Sequence, residues 1–163
     1  EQILRVLGLK DSKLLTQKKR GILDPIIKQK SSAWGIGNAS TIEIDKLGIR
    51  RATEKAMIRA LSKINFRLDM VLVDGILPIH IWEGKQKAIK GGDNKVLSIS
   101  AASVIAKEAR DLHIKLLAKK FKGYFLENNV GYGTKQHREA INKLGITDLH
   151  RKTFLSKIIT ENI

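Results

Sequence analysis

Between Ile49 and Ile64 the apolar positions Ala52, Ala56, Met57, Ala60, Leu61 and Ile64 recur at three- and four-residue spacing, with Arg50, Arg51, Lys55, Arg59 and Lys63 between them. That period predicts an amphipathic helix whose cations form a solvated face. Ahead of it, Ser40-Thr-Ile-Glu43 has the form of a capping box and predicts a short helical turn through Leu47. A second long stripe, Ala101, Val104, Ile105, Ala109 and Leu112, predicts a buried helix with Ser103, Lys107, Arg110 and Asp111 on or beside its other side. Thr16 is placed to cap a helix starting at Gln17, and Thr134 to cap one that runs to Leu144 and stops at Gly145. Gly21 and Pro25 should bend the first of these or split it into two short helices.

Strands are fewer. Met70-Val-Leu-Val73 is apolar throughout and too short for a helix, which predicts a buried strand. Ser32 to Asn38 alternates small and apolar residues around Trp34 and Ile36, consistent with another strand. Pro78 to Trp82 and Lys85 to Ile89 flank Glu83-Gly84 and suggest a hairpin or a pair of short edge strands. Phe121 to Gly133 has no period and carries several Gly and Asn residues, so it reads as an exposed loop. Helices interleaved with few short strands point to an α/β domain.

Composition narrows the function. A length of 163 residues predicts one domain, able to bury about 70% of the surface of its unfolded chain. The absence of cysteine excludes disulfides and thiolate metal sites and fits a cytoplasmic protein. No apolar run approaches the roughly 20 residues of a membrane helix, and residues 1–10 lack the order of a secretion signal. Thirty-one Lys and Arg against sixteen Asp and Glu give a net charge of +15. Such an excess attracts polyanions and predicts salt-sensitive binding to nucleic acid.

Three places carry candidate chemistry. Asp74 follows the buried strand directly, where an unpaired acid is costly and where α/β sheets expose their sites; an ordinary Asp-Gly turn is the competing reading. Lys90-Gly-Gly-Asp93 frees the backbone to bend and admits a phosphate, with Asp93 at the exit. Gly131-Tyr-Gly-Thr134 holds Tyr132 on a thin backbone, where its ring can lie against a sugar or base or simply fill a turn.

Taken with Asp11-Ser12-Lys13 and with Ser98-Ile-Ser-Ala-Ala-Ser103, these motifs resemble bacterial ribonuclease HII over nearly the whole chain, from about Gly8 to Phe154. The resemblance implies a ribonuclease H-like mixed sheet flanked by helices, in one catalytic domain over residues 1–163 with a helical part from about residue 115. It implies an endonuclease that cuts the RNA strand of RNA/DNA hybrids and single ribonucleotides embedded in duplex DNA, leaving 5′-phosphate and 3′-hydroxyl ends. Two Mg²⁺ or Mn²⁺ ions would serve as cofactors, with Asp74 and Asp93 as catalytic metal ligands. Ser12, Lys13, Ser103, Lys107 and Tyr132 would meet the substrate, with Asp111 supporting the phosphate site. A monomer is expected, with no membrane partner.

The same resemblance implies that the family's opening Asp-Glu-Ala-Gly-Arg-Gly strand, and the apolar strand after it, have no counterpart in Glu1-Gln-Ile-Leu-Arg-Val-Leu-Gly8. The first two catalytic acids and the backbone that reads the 2′-hydroxyl would then be missing. An enzyme whose opening segment lies upstream of Glu1 is the expectation. The alternatives are an inactive basic nucleic-acid-binding remnant of the fold and a half completed by another chain.

Overall fold

The computed structural model describes Leu9 and residues 15–155. In order, the elements are α1 (Gln17–Lys30), α2 (Thr41–Leu61), β1 (Val71–Asp74), β2 (Gln86–Ile89), α3 (Gly92–Lys95), α4 (Leu97–Lys120), α5 (Leu126–Asn129), α6 (Lys135–Leu144) and a 3₁₀ turn at Lys152–Phe154. They fall into two compact units, Glu1–Asn38 with Glu54–Ala109 and Ala39–Thr53 with Arg110–Ile163. No helix among the described residues is long and apolar enough to cross a membrane.

In the first unit, α1 and the first half of α4 bury Leu15, Leu23, Ile27, Ala101, Val104 and Ile105 together. Ile27 and Val104 are fully buried, each contributing about 1.5–3 kcal/mol by leaving water. Arg20 is buried among them, its Nε donating to Glu108 Oε1 at 2.8 Å and its Nη1 to the Leu15 carbonyl at 2.7 Å. A buried guanidinium needs both a counter-charge and further acceptors, and here it has them. Thr16 caps α1 as expected, accepting from the Lys19 amide at 3.2 Å. The split into two helices does not occur: α1 is continuous through Pro25, with Leu23 and Ile27 on either side both buried, and their packing outweighs the lost backbone bond.

The segment expected as a strand around Trp34 and Ile36 has no regular secondary structure and joins no sheet among the described residues. It lies instead on α2. A Cβ on Gly35 or Gly37 would run into the Ala60 or Ala56 backbone, so only glycine permits the approach. Lys63 and Arg59 face solvent as expected and also close this contact: Lys63 Nζ donates to the Ile36 carbonyl and Arg59 Nη1 to the Asn38 carbonyl, both at 2.6 Å. The apolar period located the helix correctly but could not reveal that unpaired carbonyls run beside it.

β1 forms as expected, and β2 pairs with it in parallel, Val71 opposite Gln86 and Asp74 opposite Ile89. The expected hairpin is therefore corrected. Residues 78–82 form a turn, not a strand, and the Gln86 side chain satisfies it: Oε1 accepts from the Ile79 amide at 2.8 Å and Nε2 donates to the Ile79 and Trp82 carbonyls at 3.0 Å. One amide side chain supplies what a partner strand would have given.

In the second unit, Ser40 and Glu43 form the expected capping box, each backbone amide donating to the other side chain at 3.0 and 3.2 Å. α2 kinks at Gly48, whose φ of 77° ends the short turn foreseen through Leu47. Asp45 in this first half accepts from the Lys152 and Thr153 amides and the Thr153 hydroxyl at 2.9, 3.1 and 2.6 Å. Residues 121–133 are not the exposed loop that was expected. Tyr124 and Leu126 are buried with Ala140, Ile141 and Leu155 in a second core, and residues 126–129 wind into the single turn of α5. Leu112, placed on the buried face of α4 by its spacing, is 62% exposed, while Asp111 is buried.

Candidate active site

Parallel pairing brings the ends of β1 and β2 side by side, and both lead directly into the candidate residues. Asp74 is the last residue of β1. Beside it, β2 ends at Ile89, whose carbonyl accepts from the Gly75 amide at 3.0 Å. The chain then turns through Gly91, in the left-handed region at φ 64°, and enters α3 with Gly92 and Asp93 buried. Glycine takes that φ without the Cβ clash other residues meet.

The turn joins the two acids. The Gly92 amide donates to Asp74 Oδ1 at 2.8 Å, so Asp74 is held by the residue that precedes Asp93. Space beside Gly92 is tight: a Cβ would stand 2.6 Å from the tip of the Ile99 side chain, which would have to shift, and 3.5 Å from Asp74 Oδ1. Lys95 Nζ closes the turn on the Lys90 carbonyl at 2.8 Å. Asp74 is exposed and Asp93 is buried, its Oδ1 3.4 Å from Asn94 Nδ2. The arrangement offers two carboxylates at one strand end, hard oxygen donors of the kind Mg²⁺ and Mn²⁺ prefer. Among the described residues no group of three or more His, Cys, Asp or Glu side chains comes together to hold a metal.

Ser103 and Lys107 follow on α4, both half-buried and both engaged in interactions of their own. Ser12 and Lys13 lie outside the described residues, as does Asp11.

In the second unit Asp111 is 5% exposed and partnered. Tyr132 is 58% exposed, with the Arg110 guanidinium 6.0 Å from its ring centroid. Arg110 Nη2 reaches the Val130 carbonyl at 3.5 Å. Periodicity missed what lies beneath this turn. Asn129 is buried, and His137 and His150 stack with centroids 5.4 Å apart and planes 20° from parallel. An Asn two residues ahead of a glycine is a turn signal, and it was available in the sequence; the histidines, thirteen residues apart, gave none.

The chain matches the family model described as Ribonuclease HII over residues 1–157. It is 53% identical over 155 residues to a ribonuclease HII of Prochlorococcus marinus strain MIT 9313, covering 95% of this chain and 71% of that protein. It is 57% identical over 151 residues to the ribonuclease HII of strain NATL2A, covering 93% and 77%. Its fold is similar to the crystal structure of the ribonuclease H2 from Pyrococcus horikoshii OT3, with a TM-score of 0.76 and 22% identity, over 98% of this chain and 84% of that one. The α/β fold is thus of the ribonuclease H2 kind. Sequence identity above one half, extended over almost the entire length, leaves one assignment: the chain belongs to the ribonuclease HII family of endoribonucleases.

Proposed function

We propose that this protein hydrolyses the RNA strand of RNA/DNA hybrids and cuts at single ribonucleotides embedded in duplex DNA, with Asp74 and Asp93 as the catalytic metal ligands. The observation that carries the reading is the Gly92 amide on Asp74 Oδ1 at 2.8 Å, which ties the two acids to one turn. Their oxygens fit a hard divalent ion, Mg²⁺ or Mn²⁺, and supply part of the six or more ligands such an ion takes. Two bound ions would supply an activated hydroxide and neutralise charge on the leaving oxygen, leaving 5′-phosphate and 3′-hydroxyl ends.

The chain's own residues do the rest. The Gly92 amide fixes the orientation of Asp74, so that its second oxygen faces a constant direction. Lys107 and Ser103 bind backbone phosphate, the ammonium as a point charge and the hydroxyl as a donor, and Lys13 and Ser12 act in the same way. Asp111 supports the phosphate contacts from α4. Tyr132 offers its exposed ring face to a sugar or base of the substrate. A net charge of +15 raises the local concentration of duplex and speeds encounter. We assign the chemistry to a single catalytic chain acting as a monomer.

A duplex carrying one ribonucleotide, labelled at its 5′ end and incubated with the protein in Mg²⁺ or in Mn²⁺, tests this. Cleavage at the ribonucleotide with a 3′-hydroxyl product supports the reading. Binding without cleavage in either metal overturns it.

A further inference from the structure

The turn that presents Tyr132 is held in an unfavourable conformation by one buried side chain. Val130 lies at φ 49°, the left-handed region that a β-branched residue rarely adopts, and Gly131 follows at φ 76°. Neither residue has a side chain able to enforce that geometry. Asn129 can: it is 6% exposed, its Nδ2 donates to the Tyr124 carbonyl at 2.8 Å, and its Oδ1 accepts from the Gly131 amide at 2.8 Å. Its own carbonyl accepts from the Tyr132 amide at 2.8 Å, and the Tyr132 carbonyl accepts from Thr134 at 2.8 Å.

The far end of this chain of bonds is anchored. The Tyr124 carbonyl also receives His137 Nδ1 at 2.8 Å, and the Tyr124 hydroxyl donates to the Gly145 carbonyl at 2.8 Å. A carbonyl on one side and an N–H on the other call for one donor and one acceptor on the same short side chain. Asparagine supplies both, whereas aspartate lacks the donor and leucine lacks both. The buried clamp lies three residues ahead of the exposed ring and bonds the Tyr132 amide through its own carbonyl.

We propose that Asn129 is a positioning residue for substrate recognition, locking the turn so that Tyr132 meets nucleic acid already ordered. The inference rests on the reading of Tyr132 as a substrate contact given above. Without the clamp, the ordering of residues 130–132 would have to be met on binding, and affinity would fall by that cost.

The test measures equilibrium binding of the full chain to a labelled RNA/DNA hybrid by fluorescence anisotropy, with Ca²⁺ replacing Mg²⁺. Four proteins are compared: wild type, Asn129→Ala, Tyr132→Ala and the double variant. Loss of a stacking ring should weaken binding about 5-fold or more. Asn129→Ala should weaken it about 2- to 10-fold, through the cost of ordering. The double variant should bind no worse than Tyr132→Ala alone, because Asn129 acts through the ring. If Tyr132→Ala binds like wild type, the role of Tyr132 itself falls, and this inference with it. If Tyr132→Ala is impaired but Asn129→Ala is not, or if Asn129→Ala costs the same factor with and without the ring, the positioning role alone is overturned.

Should Asn129→Ala not fold, the same comparison is made with Val130→Gly added, since glycine takes φ 49° without strain. Amide exchange of the wild-type protein gives an independent reading. Gly131 should be protected although Tyr132 beside it is exposed, and rapid exchange of Gly131 in the folded protein overturns the clamp.

Discussion

Asp74 and Gly92 are eighteen residues apart in sequence and joined by a 2.8 Å hydrogen bond from the glycine amide to the aspartate carboxylate. The bond engages one oxygen of Asp74, and Asp93 follows Gly92 immediately. If the pair holds the metals, neutralising either carboxylate removes a ligand without removing its shape. Asp74→Asn and Asp93→Asn should each reduce cleavage of a ribonucleotide-containing duplex about a thousandfold or more, the loss expected from several kcal/mol of transition-state stabilisation. Binding of the duplex in Ca²⁺ should fall far less. Retained cleavage in either variant would remove that residue from the catalytic set.

The packing of the segment around Ile36 against α2 yields a stability prediction independent of chemistry. A Cβ at Gly37 would overlap the Ala56 carbonyl and stand 2.6 Å from the Ala60 amide nitrogen. Both are backbone atoms of a helix and cannot turn aside. Gly37→Ala should therefore cost about 3 kcal/mol, the upper end for overpacking. By thermal denaturation this corresponds to a fall in Tm of about 6–12 °C. Gly91→Ala should cost less, because nothing stands within 4 Å of its Cβ and only the φ of 64° opposes it. Equal losses would contradict the close approach.

What the sequence revealed follows from which interactions are local. Helix stripes, Thr16, the Ser40 and Glu43 box, Thr134 and Gly145 were all legible, because caps and i, i+3 or i+4 contacts are written within a few residues. Asp74 was legible as an acid closing an apolar run. Three things were not. The direction of β2 depends on where its chain returns, and Gln86 replaced the partner strand that a hairpin would have needed. Arg59 and Lys63 do lie on a solvated face, but their bonds to the carbonyls of Asn38 and Ile36 join segments more than twenty residues apart and leave no local mark. The second core escaped because Phe125 and Val130, both at positive φ, break every period around Tyr124 and Leu126.

Lys107 separates attraction by overall charge from contact with a particular phosphate. A net charge of +15 attracts any polyanion, so a single affinity does not identify one phosphate contact. Each phosphate contact, however, releases counterions and adds about 0.9 to the slope of log K against log salt on duplex DNA. Lys107→Ala should lower that slope by about one for a hybrid duplex, measured between about 50 and 200 mM salt. Substituting Lys122, an exposed lysine beyond the end of α4 that is not among the proposed contacts, serves as the comparison. The same decrease in both would mean that Lys107 contributes only to the general field.

His150 gives the fold a pH dependence whose sign can be worked out. Burial first, and then the charge of His137, hold its pKa below the ordinary value of 6.5. A backbone hydrogen bond with Thr147 works the other way, raising the pKa, and the two larger effects outweigh it; the Thr147 amide itself donates to His150 Nδ1 at 3.0 Å. As pH falls through 6.5 the unfolded chain takes up the proton before the folded one does, so the folded state loses stability from there downward. Above that pH the contribution is complete. Asp45 acts in a separate, more acidic window, where the Thr153 hydroxyl foremost holds its carboxyl below 3.8; its stabilisation is present above that value and lost as pH falls further. Thermal melts should therefore show Tm level above about pH 7.5 and declining from about pH 6.5, the ordinary titration range of histidine. His150→Asn, whose amide oxygen can still accept from Thr147, should flatten that decline and leave the loss below pH 3.8 intact. A decline of unchanged steepness in His150→Asn would assign the effect to another group.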